Sequence, residues 1–84
     1  MSEGETDFAK TMAKAEAGDT EAQCHLGQMY EDGNGVERNA DKALIWFQNS
    51  AQQGHGPAGN SIGTCFLKGL GVNQNFDEAL KWYT

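Results

Sequence analysis

Gly33-Asn34-Gly35-Val36 is followed by Asn39, Asp41, Ala43-Leu44 and Trp46-Phe47, and the same order returns 36 residues later as Gly69-Leu70-Gly71-Val72, Asn75, Asp77, Ala79-Leu80 and Trp82-Tyr83. Upstream of the glycines the register continues through Gly18 and Gly54, Ala22 and Ala58, Gly27 and Gly63, and the aromatic pair Tyr30 and Phe66. A fixed period of roughly 20 to 50 residues marks a stack of supersecondary units. The glycines punctuate turns, because they reach the positive φ that other residues avoid.

Between the turns the apolar residues recur at helical spacing. Phe8, Met12 and Ala15 form one stripe of a helix expected over 5–17, ended by Gly18. Ser2 with Glu5 reads as a capping box for it, with Thr6 or Asp7 as alternative caps. Ala22, Leu26, Met29 and Tyr30 form the stripe of a second helix over 20–32, capped by Asp19 or Thr20, with Gln23 placed to complete a box with Thr20. Gly27 sits inside that helix, where it costs about 1 kcal/mol relative to Ala. Its return as Gly63 predicts a helix crossing close by. Asn39 caps a third helix carrying Ala43, Phe47, Ser50 and Ala51, flanked by Leu44 and Trp46. Pro57 suits the first turn of a fourth, over about 57–68, and Asn75 caps a fifth. No run alternates as a strand would. The fold expected is all-α, a solenoid of antiparallel helix pairs with about five helices. Residues 1–18 form a half repeat, 19–54 a full repeat, and 55–84 a repeat truncated at its C-terminus.

Composition narrows function. The 84 residues allow one compact domain, and six Lys+Arg against twelve Asp+Glu leave a net charge of -6. That balance argues against nucleic acid and anionic membranes, which need a basic footprint. No apolar run approaches the ~20 residues of a membrane helix, and the acidic Met1-Ser2-Glu3-Gly4-Glu5 lacks the pattern of a signal peptide, so the cytoplasm is expected.

The motifs that could carry chemistry read better as structure. Gly54-His55-Gly56-Pro57-Ala58-Gly59 is a literal G-x-G-x-x-G, but a helix precedes it where a nucleotide site needs a strand. Cys24, His25, His55 and Cys65 lack the close pairs of a zinc site, and Cys24 and Cys65 are out of register for a disulfide. Asp41 and Asp77 are helix-start charges. No cofactor, metal or catalytic group is expected, and the chain is read as not an enzyme.

The residues Ala22-Gln23, Leu26-Gly27, Tyr30, Gly33-x-Gly35-Val36, Lys42-Ala43, Trp46-Phe47, Ala51 and Gly54 resemble the Sel-one-like repeat (SLR), a relative of the tetratricopeptide repeat. A second copy runs through Ala58, Gly63, Phe66, Gly69-x-Gly71-Val72, Ala79 and Trp82-Tyr83, with Gly59, Ile62 and Phe66 departing from the pattern. The resemblance covers residues 13–84 and implies a right-handed superhelix whose members act mostly as adaptors or scaffolds. It implies a partner-binding concave face at Glu21, Cys24, Gln28 and Glu31, continued by Asn60, Thr64, Leu67 and Lys68. A protein or extended peptide with a basic residue is the expected partner. A second reading is a structural or oligomerising segment of a larger repeat protein, its open C-terminal end covered by more chain or by another copy. A third, a β-lactam-hydrolase-like enzyme, follows a cysteine-rich branch whose paired cysteines are absent here.

Overall fold

A computed structural model describes residues 3–83 of the chain. Five helices follow in order: α1 (Glu3–Glu16), α2 (Thr20–Asp32), α3 (Ala40–Gln52), α4 (Gly56–Lys68) and α5 (Phe76–Tyr83). No strand occurs among the described residues. Helices α2 and α3 form one antiparallel pair and α4 and α5 the next, while α1 packs on α2 as α3 packs on α4. The result is an α-α solenoid of 42 × 24 × 13 Å.

The turns explain the period. The N–H of Gly33, at φ 73°, donates to the Met29 carbonyl, and that of Gly69, at φ 72°, closes on Cys65 in the same way. These are left-handed C-caps that satisfy carbonyls the helix leaves open. The chain then returns so that Asn39 N–H donates to Tyr30 O at 2.9 Å and Asn75 N–H to Phe66 O at 2.8 Å. Both asparagines cap: Asn39 Oδ1 accepts from Lys42 N–H at 3.0 Å and Asn75 Oδ1 from Glu78 N–H at 3.1 Å. Asp41 and Asp77 stand in the first turns behind them, where the helix dipole favours a negative charge.

The first helix begins at Glu3, so Thr6 and Asp7 lie inside it and do not cap it; the Ser2 part of the expected box lies outside the described residues. Helix α2 is capped by Asp19, whose Oδ1 accepts from Ala22 N–H at 3.1 Å. Gln23 does not complete a box with Thr20. Its side chain is buried and donates to Ala15 O at 3.1 Å, while its Oε1 accepts from Gln53 Nε2 at 2.7 Å. One amide thereby ties the end of α1 and the end of α3 to the start of α2. Ser50 adds a second tie, its buried hydroxyl donating to Thr20 O at 2.7 Å. Helix α4 starts one residue before Pro57, at Gly56, with His55 as a cap that makes no side-chain bond.

The core is a single ribbon of Ala15, Ala22, Leu26, Tyr30, Ala43, Leu44, Phe47, Ala58, Ile62 and Cys65, with Phe8, Met12, Trp46 and Phe66 packed against it. The two mid-helix glycines are crossing points. A Cβ on Gly27 would stand 2.6 Å from Phe47 Cε1 and 3.1 Å from Ala43 O; one on Gly63 would stand 3.0 Å from Tyr83 Cε1 and 3.2 Å from Ala79 O. Substituting Gly27 by Ala gains about 1 kcal/mol of helix propensity but overpacks a fully buried ring, at about 1–3 kcal/mol. Gly27→Ala is therefore expected to lower stability in urea denaturation, and Gly63→Ala to do so less, because the Tyr83 ring is exposed and can swing away. Equal losses at the two sites would contradict this packing.

Candidate functional site

The expected binding face is carried by α2 and α4, the first helices of the two pairs. They come near one another where Ser61 of α4 lowers the pKa of Cys24, and where the Glu31 charge acts on Cys65 and feels Lys68. On α2, Glu21 and Gln28 are exposed and Glu31 is half-buried; on α4, Asn60, Leu67 and Lys68 are exposed and Thr64 is half-buried. Cys24 departs from the expected set. It is 4% exposed and lies beneath the face, with Ser61 of α4 close by. Thr64 is partly engaged: its hydroxyl donates to or accepts from the Tyr83 hydroxyl at 2.8 Å and reaches Asn60 O at 3.1 Å.

The two acids expected to act together sit in different surroundings, about 15 Å apart along the helix. Glu21 lines a polar cleft of about 340 Å³ between α1 and α2, with Thr11, Lys14, Asp19, Ala22 and His25. Glu31 stands at the far end of α2. Burial raises its pKa above the ordinary value and the Asp32 charge adds to the rise, while Lys68 and Arg38 pull it back only in part. The carboxylate is thus short of positive charge. Acting alone, this group stabilises the fold at low pH and loses that contribution as pH rises from 4.5 through its folded value.

The cysteines are unreactive by environment. Burial, reinforced by the Glu31 charge, pushes the Cys65 thiol up to about 11, and burial raises Cys24 against the opposing Ser61 hydrogen bond. The nucleophile is the thiolate, so neither is set up for covalent chemistry. Both are free. Among the described residues, no three His, Cys, Asp or Glu side chains converge on a point that could hold a metal.

Two residues of this region escaped the sequence reading. The Arg38 charge, in the turn after α2, acts on Glu31, and Ser61 of the neighbouring pair acts on Cys24. The positions of Arg38 and Lys68 differ in register, so the period gives no signal that both face one carboxylate. A second cleft, of about 320 Å³, is lined by Tyr30, Val36, Glu37, Arg38, Asn39 and Lys42, with Lys42 Nζ 5.6 Å from the Tyr30 ring centre.

No described helix is long and apolar enough to cross a membrane. The Sel1 repeat family model matches residues 20–55 and 60–84. A 44-residue segment is 46% identical to DAP3-binding cell death enhancer 1 of Rattus norvegicus, a match spanning 52% of this chain and 9% of that protein. Among solved structures, the chain superposes on c5321, a protective antigen of uropathogenic Escherichia coli strains with an SLR fold, at a TM-score of 0.86 and 36% identity, over 90% of this chain and 16% of the antigen. It superposes on a Sel1 repeat protein from Oxalobacter formigenes at a TM-score of 0.87 and 29% identity, over 90% of this chain and 58% of that one. The chain therefore spans a small part of the rat and E. coli proteins and a little over half of the Oxalobacter one. Sel1 repeats generally serve as protein–protein interaction modules and are generally not catalytic. With two matched repeats covering most of its length and the turns, caps and crossing glycines in register, the chain belongs to the Sel1 repeat family.

Proposed function

We propose that the chain is an adaptor whose α2–α4 face takes an extended peptide or protein segment bearing a basic residue. The observation that carries this reading is Glu31, a half-buried carboxylate incompletely neutralised by Lys68 and Arg38 and flanked by exposed Gln28, Leu67 and Lys68. An incoming Lys or Arg supplies the missing charge, and the neighbouring amide and apolar groups give a peptide backbone and side chain something to lie on. The rat protein of similar sequence bears a name that states binding to another protein, which agrees with an adaptor role. The free thiols of Cys24 and Cys65 suit a reducing compartment such as the cytoplasm.

The test uses fluorescent extended peptides that differ only in carrying Lys, Gln or Glu at one central position. The Lys peptide is expected to bind best. Glu31→Lys is expected to weaken it by roughly five- to thirtyfold, between the upper end for an exposed pair and the lower end for a desolvated one. Glu21→Lys should weaken it less, and Gln48→Lys on the exposed surface of α3 should leave it unchanged apart from the general effect of one added charge. Because Glu31 loses its charge at a higher pH than an ordinary glutamate, affinity should begin to fall on acidification above pH 4.5. A preference for the Glu peptide, or identical affinity in Glu31→Lys, would remove this face from consideration.

A further inference from the structure

The turn after α2 and the turn after α4 share a backbone but not a charge. The cleft at the first is lined by Arg38, Lys42 and Glu37, a net of one positive charge in a chain of net charge -6. In the next repeat Gln74 and Glu78 take the places of Arg38 and Lys42. Those two side chains are satisfied within their own repeat: Gln74 Nε2 donates to Leu67 O at 2.8 Å, and Glu78 pairs with Lys81 at 3.3 Å. Arg38 and Lys42 are exposed, and neither forms an ion pair among the described residues. Lys42 Nζ stands 5.6 Å from the centre of the Tyr30 ring, an attraction that holds the ammonium beside the cleft without neutralising it. Asn39 Oδ1 accepts from Lys42 N–H, which fixes the amide's orientation and leaves its Nδ2 as a further donor. Half-buried Val36 and the Tyr30 ring give the cleft an apolar wall.

The geometry points to this cleft, of about 320 Å³, as a binding site for a carboxylate side chain, Asp or Glu, of a protein partner. A planar carboxylate can accept two parallel bonds from the Arg38 guanidinium, and the Lys42 ammonium adds a point charge. The lining charge selects this ligand. One net positive charge matches one carboxylate, whereas a phosphate monoester brings close to two negative charges and would meet Glu37 with the second. A polyanion such as nucleic acid would also meet the acidic remainder of the chain. The site lies between the end of α2 and the start of α3 and is opposite in sign to Glu31, so it goes beyond the α2–α4 face and does not depend on it.

The experiment titrates the full, isotope-labelled chain with glutamate blocked as its N-acetyl N-methylamide, near neutral pH in about 0.1 M salt, where distant charges are screened. Nuclear magnetic resonance follows the backbone amides and the Arg38 Nε–H. Saturable shifts are expected, concentrated from Val36 to Lys42. Blocked glutamine has the same shape without the charge and should bind at least roughly fivefold more weakly, the upper end for one exposed pair. Arg38→Gln with Lys42→Gln should weaken blocked glutamate at least roughly tenfold, since two such contacts are lost. Both side chains are exposed, so this variant should fold, which circular dichroism checks. Lys10→Gln with Lys14→Gln removes the same charge from α1 and should leave the binding nearly unchanged. Inorganic phosphate should bind more weakly than blocked glutamate. Equal shifts from blocked glutamine, unchanged binding in the Arg38 and Lys42 variant, or tighter binding of phosphate would each overturn the proposal. None of these outcomes bears on Glu31, whose test is the effect of Glu31→Lys on the Lys peptide.

Discussion

Phe47→Ala is expected to be the most damaging single substitution in the chain. The ring is fully buried between Gly27 and the body of the core. Removing it takes away the transfer energy of the ring and leaves a cavity, about 3–5 kcal/mol together. A domain of this size has a net stability of roughly 4–13 kcal/mol. The loss is therefore a large fraction of the whole, equivalent to a fall in Tm of at least about 12 °C. Tyr83 occupies the same register position on α5 and is 43% exposed, with its hydroxyl on Thr64. Tyr83→Ala should cost about 1–2 kcal/mol, the value of a half-buried ring. Thermal and urea denaturation of the two variants side by side decide the matter. Similar losses at both positions would contradict the difference in burial between the two rings.

Gly71→Ala is expected to follow, for a different reason. Gly71 has φ 75°, and a Cβ there would stand 2.8 Å from the Ala40 carbonyl oxygen. The backbone term is about 1–2 kcal/mol for an L residue in the left-handed region. The steric term adds about 1–3 kcal/mol, because a helix backbone cannot move aside as a side chain can. Gly54 isolates the first term: its φ is 89°, and nothing lies within 4 Å of its missing Cβ. Gly54→Ala should lose only about 1–2 kcal/mol. If the midpoint of urea unfolding for Gly71→Ala matched that of Gly54→Ala, the approach of the turn to α3 would carry no energy.

That contrast also shows which features a sequence can disclose. Gly33 and Gly69 act within one turn, closing bonds to residues four before them, and Asn39 and Asn75 cap residues three ahead. Such roles are local, so the helices and their boundaries were legible to within a residue or two. The crossing at Gly27 was legible too, because a glycine in a helix interior needs a reason and this one recurs. Gln23 was misread because its partners, Ala15 and Gln53, belong to other helices, and a local capping pattern competed for the same residue. Cys24 was placed on the face by family pattern, yet its burial depends on how closely α4 approaches. Glu31 was singled out as an acid, but its raised pKa comes from burial and the Asp32 charge, which Lys68 and Arg38 from two other segments offset only in part.

The main contacts of the fold run only between helices that are neighbours in the chain: α1 with α2, α2 with α3, α3 with α4, and α4 with α5. No distant ends have to find one another before a contact forms, so the loops closed during folding are short and their entropy cost is small. Such a chain assembles as a zipper that can start at any helix pair, and a disturbance passes along it one helix at a time. The same arrangement lets α5 open without dragging α1 with it, so an event at one end of the molecule reaches the other only as far as each successive pair holds.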